Sequence, residues 1–79
     1  MNSDTQTESY GQKAVVVSFN PSGDEAVGTC KQGFANLIDQ MNDLRTNSTS
    51  GEQKLLASVA IAEMLSAQMW AVKAITWKD

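Results

Sequence analysis

Between Val59 and Ile75 only two residues are charged, Glu63 and Lys73; most of the rest are Ala, Leu, Ile, Val, Met and Trp. The run reads as the body of a helix from about residue 52 to about residue 77. Leu55, Ala62, Leu65, Met69 and Val72 form one stripe, while Leu56, Val59, Ala60, Ile61, Ala67, Trp70, Ala71, Ala74, Ile75 and Trp77 occupy the remaining circumference. A helix that is apolar nearly all round is buried nearly all round, and one neighbouring helix cannot do that. A chain of 79 residues has a modest core of its own. Cys30 is its single cysteine, which precludes an internal disulfide, and with no histidine there is no zinc site. Further copies of the chain are therefore expected to supply the missing cover, a dimer at least and a larger closed ring or bundle by extension.

The partner within the chain lies upstream. Pro21, the one proline, ends the preceding segment, and Asn20 before it is biased away from helix. Ser22 and Glu25 have the spacing of a capping box, and Asp24 and Glu25 suit the positive end of a helix dipole. These signals predict a helix over about 23–45. Its apolar positions Val27, Cys30, Phe34, Leu37, Met41 and Leu44 recur in alternating three- and four-residue steps, with Ile38 widening the seam. Gly28 and Gly33 inside it each cost about 1 kcal/mol relative to alanine. They mark either a close approach or a tolerated imperfection. A polar loop at Thr46–Gly51 follows, and either Thr49 with Glu52 or Ser50 with Gln53 offers the second cap. A short loop between two long helices makes an antiparallel hairpin.

Residues 1–12 are polar and read as a disordered tail, leaving 13–79 as the hairpin domain. Lys13–Phe19 is rich in valine and reads as a short extended segment, with Val15, Val17 and Phe19 facing one way. The expected fold class is thus all-α: an antiparallel two-helix hairpin with a short extended N-terminal segment, assembled as an interlocked homo-oligomer. The net charge of −3 argues against polymeric nucleic acid as a partner. The N-terminus lacks the basic and apolar regions of a signal peptide, and no uninterrupted apolar run reaches the roughly 18 residues of a membrane span. The expectation is a cytoplasmic protein without a membrane partner, in which the sequon Asn47-Ser48-Thr49 is a chance match.

No catalytic constellation is present: there is no histidine base, no cysteine–histidine pair and no GxSxG elbow. Asp39 and Asp43 read as solvated, and Glu63 as a rim charge or an intersubunit ion-pair partner. The chain is expected not to be an enzyme. One binding feature stands out. The amides of Gly23, Asp24 and Glu25 open a helix, an arrangement that holds phosphate; Lys31 lies two turns on, and Phe19 precedes the proline where it can stack on a base. The competing reading is purely structural, because the Asp24 and Glu25 carboxylates occupy the same helix end.

The pattern FNPSG, then Lys31-x-x-Phe34-Ala35-x-Leu37-Ile38-Asp39, then LLASVAIAEMLSAQMWAVKAITW resembles the phage anti-CBASS cyclic-nucleotide sponges and the helical hairpin they share with the Thoeris anti-defence sponges. The resemblance covers about residues 19–77 and is most specific at Ala67–Ala74, AQMWAVKA. It implies a cytoplasmic, non-enzymatic protein in an infected bacterial host cell, commonly a homohexamer, that needs no metal or cofactor. It also implies sequestration of cyclic dinucleotides, and in some members cyclic trinucleotides, between protomers without cleavage. Carried over residue by residue, it makes Lys31 the phosphate ligand and either Phe19 or Tyr10 the stacking aromatic. Asn20, Ser22 and Gly23 would line the pocket, with Lys73 or Arg45 serving a separate trinucleotide site. The alternative expectation is a structural or protein-interaction hairpin without a small-molecule ligand.

Overall fold

In the computed structural model, which describes residues 7–79, three residues (48–50) turn the chain between its two long helices. The first of these, α2, spans Glu25–Asn47, and the second, α3, spans Gly51–Ile75; the two pack against each other. Ser50 caps α3 by accepting from the Gln53 amide at 3.1 Å, which selects the second of the two expected caps. The Ser50 amide in turn donates to Ser48 Oγ. At the other end Asp24 caps α2, its carboxylate accepting from the Ala26 amide at 2.8 Å. The Ser22–Glu25 capping box does not form. Ser22 Oγ instead donates to Asn20 Oδ1 and accepts from the Asp24 amide.

The interface between the long helices is rotated from the expected seam. On α2 the buried positions are Val27, Lys31, Ala35 and Ile38, and on α3 they are Ala57, Ile61 and Gln68. Leu37 and Leu44, two of the six expected seam residues, are largely exposed, as are Leu55 and Met69 of the expected α3 stripe. Alanine stands at two of the buried positions, 35 and 57, both almost fully covered. The core itself is Val15, Ala35, Ile38 and Ile61, with Phe34, Met41, Met64 and Leu65 packed around it.

The N-terminal expectation requires correction. Among the described residues there is no strand, and the Lys13–Phe19 segment is not extended. A short helix, α1, runs from Tyr10 to Ala14, so the expected tail is ordered from within its last residues; the part covering residues 1–6 lies outside the described residues. Ser9 and Gln12 form a capping box, with the Gln12 amide donating to Ser9 Oγ at 3.1 Å and the Ser9 amide to Gln12 Oε1 at 2.9 Å. Gly11 is the contact that seats α1 on α2. A Cβ there would collide with the Ala35 carbonyl oxygen and lie 2.9 Å from Asp39 Oδ1. The Gly11 amide donates to Asp39 Oδ1 at 2.6 Å, so Asp39 is not on a solvated face but ties the two helices together. The helix then ends in a Schellman motif, Val17 N–H donating to the Gln12 carbonyl and Val16 N–H to the Lys13 carbonyl. That motif needs a residue in the left-handed region, and here it is Val16, at φ 52°.

The result is one layer of helices. The molecule measures 46 × 39 × 12 Å, a thickness close to that of one helix with its side chains. Its radius of gyration, 14.3 Å, exceeds the value of about 12 Å expected for a close-packed chain of this length. Leu55, Leu56, Val59, Met69, Trp70 and Trp77 of the C-terminal half are each about half exposed or more. By length and composition alone α3 suffices to cross a membrane, and only 17% of its most apolar window is buried within the chain.

Gly11→Ala tests the α1–α2 contact. Helix propensity alone favours alanine by about 1 kcal/mol. Collision with the α2 backbone dominates, and a net loss of about 1–3 kcal/mol is expected in urea denaturation. A neutral or stabilising result would mean that α1 does not sit on Ala35.

Candidate ligand groove

The chain leaves α1 and reaches α2 by two successive turns, and together they build a groove. In the second, the Gly23 amide donates to the Asn20 carbonyl at 3.0 Å, closing a turn with Pro21 at its second position. Gly23 itself has φ 66°, a conformation that glycine adopts without steric cost. Asn20 Nδ2 bonds the Asp24 carbonyl at 2.9 Å, so the turn is locked to the start of α2. Phe19, at the junction, is 61% exposed.

Beneath this junction lies Lys31, only 6% exposed. A buried ammonium requires acceptors. Its Nζ donates to the Val16 carbonyl at 3.2 Å and to the Phe19 carbonyl, and the Phe19 ring centroid lies 5.4 Å away. No sequence signal distinguished this lysine as a buried one; its place on α2, four residues after Val27 and four before Ala35, puts it on the buried stripe of that helix.

Phe19, Asn20, Pro21, Ser22, Val27 and Lys31 line a groove of about 320 Å³, and Val72 and Thr76 at the end of α3 form its opposite wall. Four expected site residues, Phe19, Asn20, Ser22 and Lys31, thus meet in one place. The others lie elsewhere. Gly23 shapes the turn but is not part of the lining. Tyr10 lies under the Arg45 guanidinium, 5.2 Å from ring centroid to Cζ, and Arg45 also donates to Asn42 Oδ1 and Ser58 Oγ, both at 3.0 Å. Tyr10 and Arg45 therefore brace α1 against the hairpin. Lys73 stands over the Trp70 ring at 5.5 Å, and with Ser66 and Met69 these two line a shallow hollow on α3. The α2 amide end is also not the anion site expected from the sequence: the Gly23 and Asp24 amides are used within the turn, and the Asp24 carboxylate occupies the helix end. Val72 and Thr76 were missed as groove residues because they belong to the partner helix, and only an antiparallel pairing brings the end of α3 beside the start of α2.

No protein-family model, curated protein or solved structure matches the chain. The groove's chemistry therefore carries the functional reading. It is predominantly apolar, with an exposed aromatic ring, an amide and a hydroxyl from Asn20 and Ser22, and one cation at its base. Such a set suits a ligand with a flat ring and a negative charge.

Arg45→Ala removes the support on Tyr10 together with two side-chain hydrogen bonds. It is expected to lower stability by about 1 kcal/mol in urea denaturation without affecting the groove lining.

Proposed function

We propose that the chain is a non-enzymatic receptor that sequesters a cyclic oligonucleotide signal, as the resemblance to anti-CBASS sponges implies, and so blunts antiphage immunity. The observation that carries the reading is the exposed Phe19 ring beside the Lys31 ammonium in one groove. The ring offers a face to a purine and the ammonium a counter-charge to phosphate. Asn20 and Ser22 add polar contacts at the rim. The volume, about 320 Å³, is at the lower end of the roughly 300–1,000 Å³ of small-molecule sites. It suits one half of a cyclic dinucleotide, and a second protomer related by a two-fold axis supplies the other.

Assembly follows from the exposed apolar area. A layer 12 Å thick with exposed apolar side chains gains cover by stacking on copies of itself, in a homo-oligomer for which the resemblance implies six subunits. Lipid is the other cover for α3. It is disfavoured by Glu63 at the midpoint of Gly51–Ile75, since a carboxylate at a bilayer centre costs about 2.5–3.5 kcal/mol. Light scattering is expected to give a multiple of the 8.5 kDa chain mass, and flotation with phosphatidylcholine–phosphatidylglycerol vesicles to leave the protein at the bottom of the gradient. Trp70→Asp places a charge on a residue that is 68% exposed in the single chain. It is expected to reduce the assembled mass while leaving the helix content of the chain unchanged.

Calorimetry against a panel of cyclic dinucleotides and trinucleotides tests the ligand. Phe19→Ala changes an exposed side chain and is expected to shift stability by no more than about 1 kcal/mol. It is expected to weaken binding about 5- to 150-fold, in line with stacking energies of about 1–3 kcal/mol per base. Recovery of intact nucleotide from the denatured complex distinguishes sequestration from hydrolysis. Absence of binding across the panel would favour the second reading, a protein-interaction hairpin, which the exposed apolar side chains also support.

A further inference from the structure

Lys31 and Val16 are linked in a way that the ligand reading alone does not explain. Val16 occupies the left-handed position of the α1 Schellman motif at φ 52°, where glycine is the usual residue and a β-branched side chain is strained. Its side chain contributes little in return, being 51% exposed. Val17 packs half-buried against the core, and the backbone on either side of it is held by hydrogen bonds: the Val16 carbonyl accepts from the Phe19 amide at 2.9 Å and from Lys31 Nζ at 3.2 Å, and the Phe19 carbonyl accepts from the same ammonium. An ammonium has three donors, and two of them are committed to this segment. The two ends of the segment are anchored separately, by buried Val15 on one side and by the Asn20–Asp24 turn on the other. Residues 16–19 between them are tied to the rest of the chain by the Val17 side chain, half-buried against the core, and by one cation.

We propose that residues 16–19 form an autoinhibitory strap latched by Lys31, and that an anionic phosphodiester opens it by exchanging its own oxygens for one or both strap carbonyls at the ammonium. The proposal rests on the ligand reading above. While the latch is closed, a phosphate in the groove meets at most one Lys31 N–H. When it opens, the ammonium becomes available, the Phe19 ring moves with the strap, and the left-handed strain at Val16 is released. That strain keeps the latched and open forms close in energy, so that a single ligand contact is sufficient to shift the balance. Apparent affinity is then reduced by the fraction of chains that are latched.

Hydrogen exchange on the full chain tests the latch without any ligand. Lys31→Met keeps the length and bulk of the side chain but removes the donors. It is expected to speed exchange at the Val17 and Phe19 amides about tenfold, with α2 and α3 amides unchanged. Val16→Asn, a residue that tolerates the left-handed region, is expected to slow the same amides about threefold or more. Strap exchange within twofold of wild type in Lys31→Met, or faster exchange in Val16→Asn, would overturn the latch. Should Lys31→Met fail to fold, the Val16→Asn arm alone decides. With cyclic di-adenosine monophosphate as the probe, strap exchange is expected to change on binding and Val16→Asn to weaken affinity severalfold. Binding with strap exchange unaltered would overturn the exchange step. If the two unliganded arms hold and no cyclic nucleotide of the panel binds, the latch stands, and the ligand reading fails together with the exchange step.

Discussion

A lysine ammonium that is almost wholly enclosed by a small helical chain has to be given acceptors, and the N-terminal third of this molecule is arranged to provide them. Lys31 lies on the inward stripe of α2, between Val27 and Ala35, where side chains face other elements rather than water. Burying an unpaired charge costs far more than the few kcal/mol by which a domain of this size is stable. The chain therefore brings two main-chain carbonyls, from Val16 and Phe19, over the Nζ. To deliver them it ends α1 early, accepts an unfavourable φ at Val16 and leaves Phe19 at the surface. The exposed aromatic ring and the turn that forms the groove wall both follow from satisfying one cation.

The hairpin was legible in the sequence because it rests on local signals that do not depend on the neighbours: two long periodic runs, a polar loop and a cap at either Thr49 or Ser50. The grouping of Phe19, Asn20, Ser22 and Lys31 was legible for a similar reason, since a proline turn about two helical turns before a lysine brings them to one end of the helix. The rotation of the seam was not. Counting three- and four-residue steps favours large residues such as Leu37 and Leu44, whereas the buried stripe of α2 includes Ala35, covered by Gly11 of α1, and Lys31, held by the Val16 and Phe19 carbonyls. The helix α1 was obscured by the run Val15-Val16-Val17, whose β-propensity is real but was outweighed by packing. Its signature was nonetheless present as Ser9-Tyr10-Gly11-Gln12, a capping box ahead of a glycine that fits the α2 backbone.

The exposed apolar side chains of α3 lie mainly on the side turned away from its buried stripe: Leu55, Val59 and Trp70 fall on the opposite side of the helix from Ala57, Ile61 and Gln68. Trp70 and Leu56, 68% and 63% exposed, lie on the longest and most apolar helix in the molecule. At about 25 cal/mol per Å², a few such side chains covered by a neighbour contribute several kcal/mol, comparable to the whole stability of a domain this small. Were the chain to assemble as proposed, fold and association would be energetically inseparable.

The location of the groove follows from the antiparallel pairing. It forms where the start of α2 meets the end of α3, away from the loop that joins them. At that end Thr76 Oγ1 donates to the Val72 carbonyl and closes the last turn of α3, and both residues then face Pro21 and Phe19 across the opening. One wall of the groove is thus a helix end, where fraying is easiest, while the other is a turn locked to α2 by the Asn20–Asp24 hydrogen bond. A neighbouring protomer packed on the exposed Trp77 would hold the α3 wall in place. If the chains assemble as proposed, binding at the groove would depend on the same apolar surface as association, and ligand capture and assembly would reinforce each other through the C-terminal turn of α3.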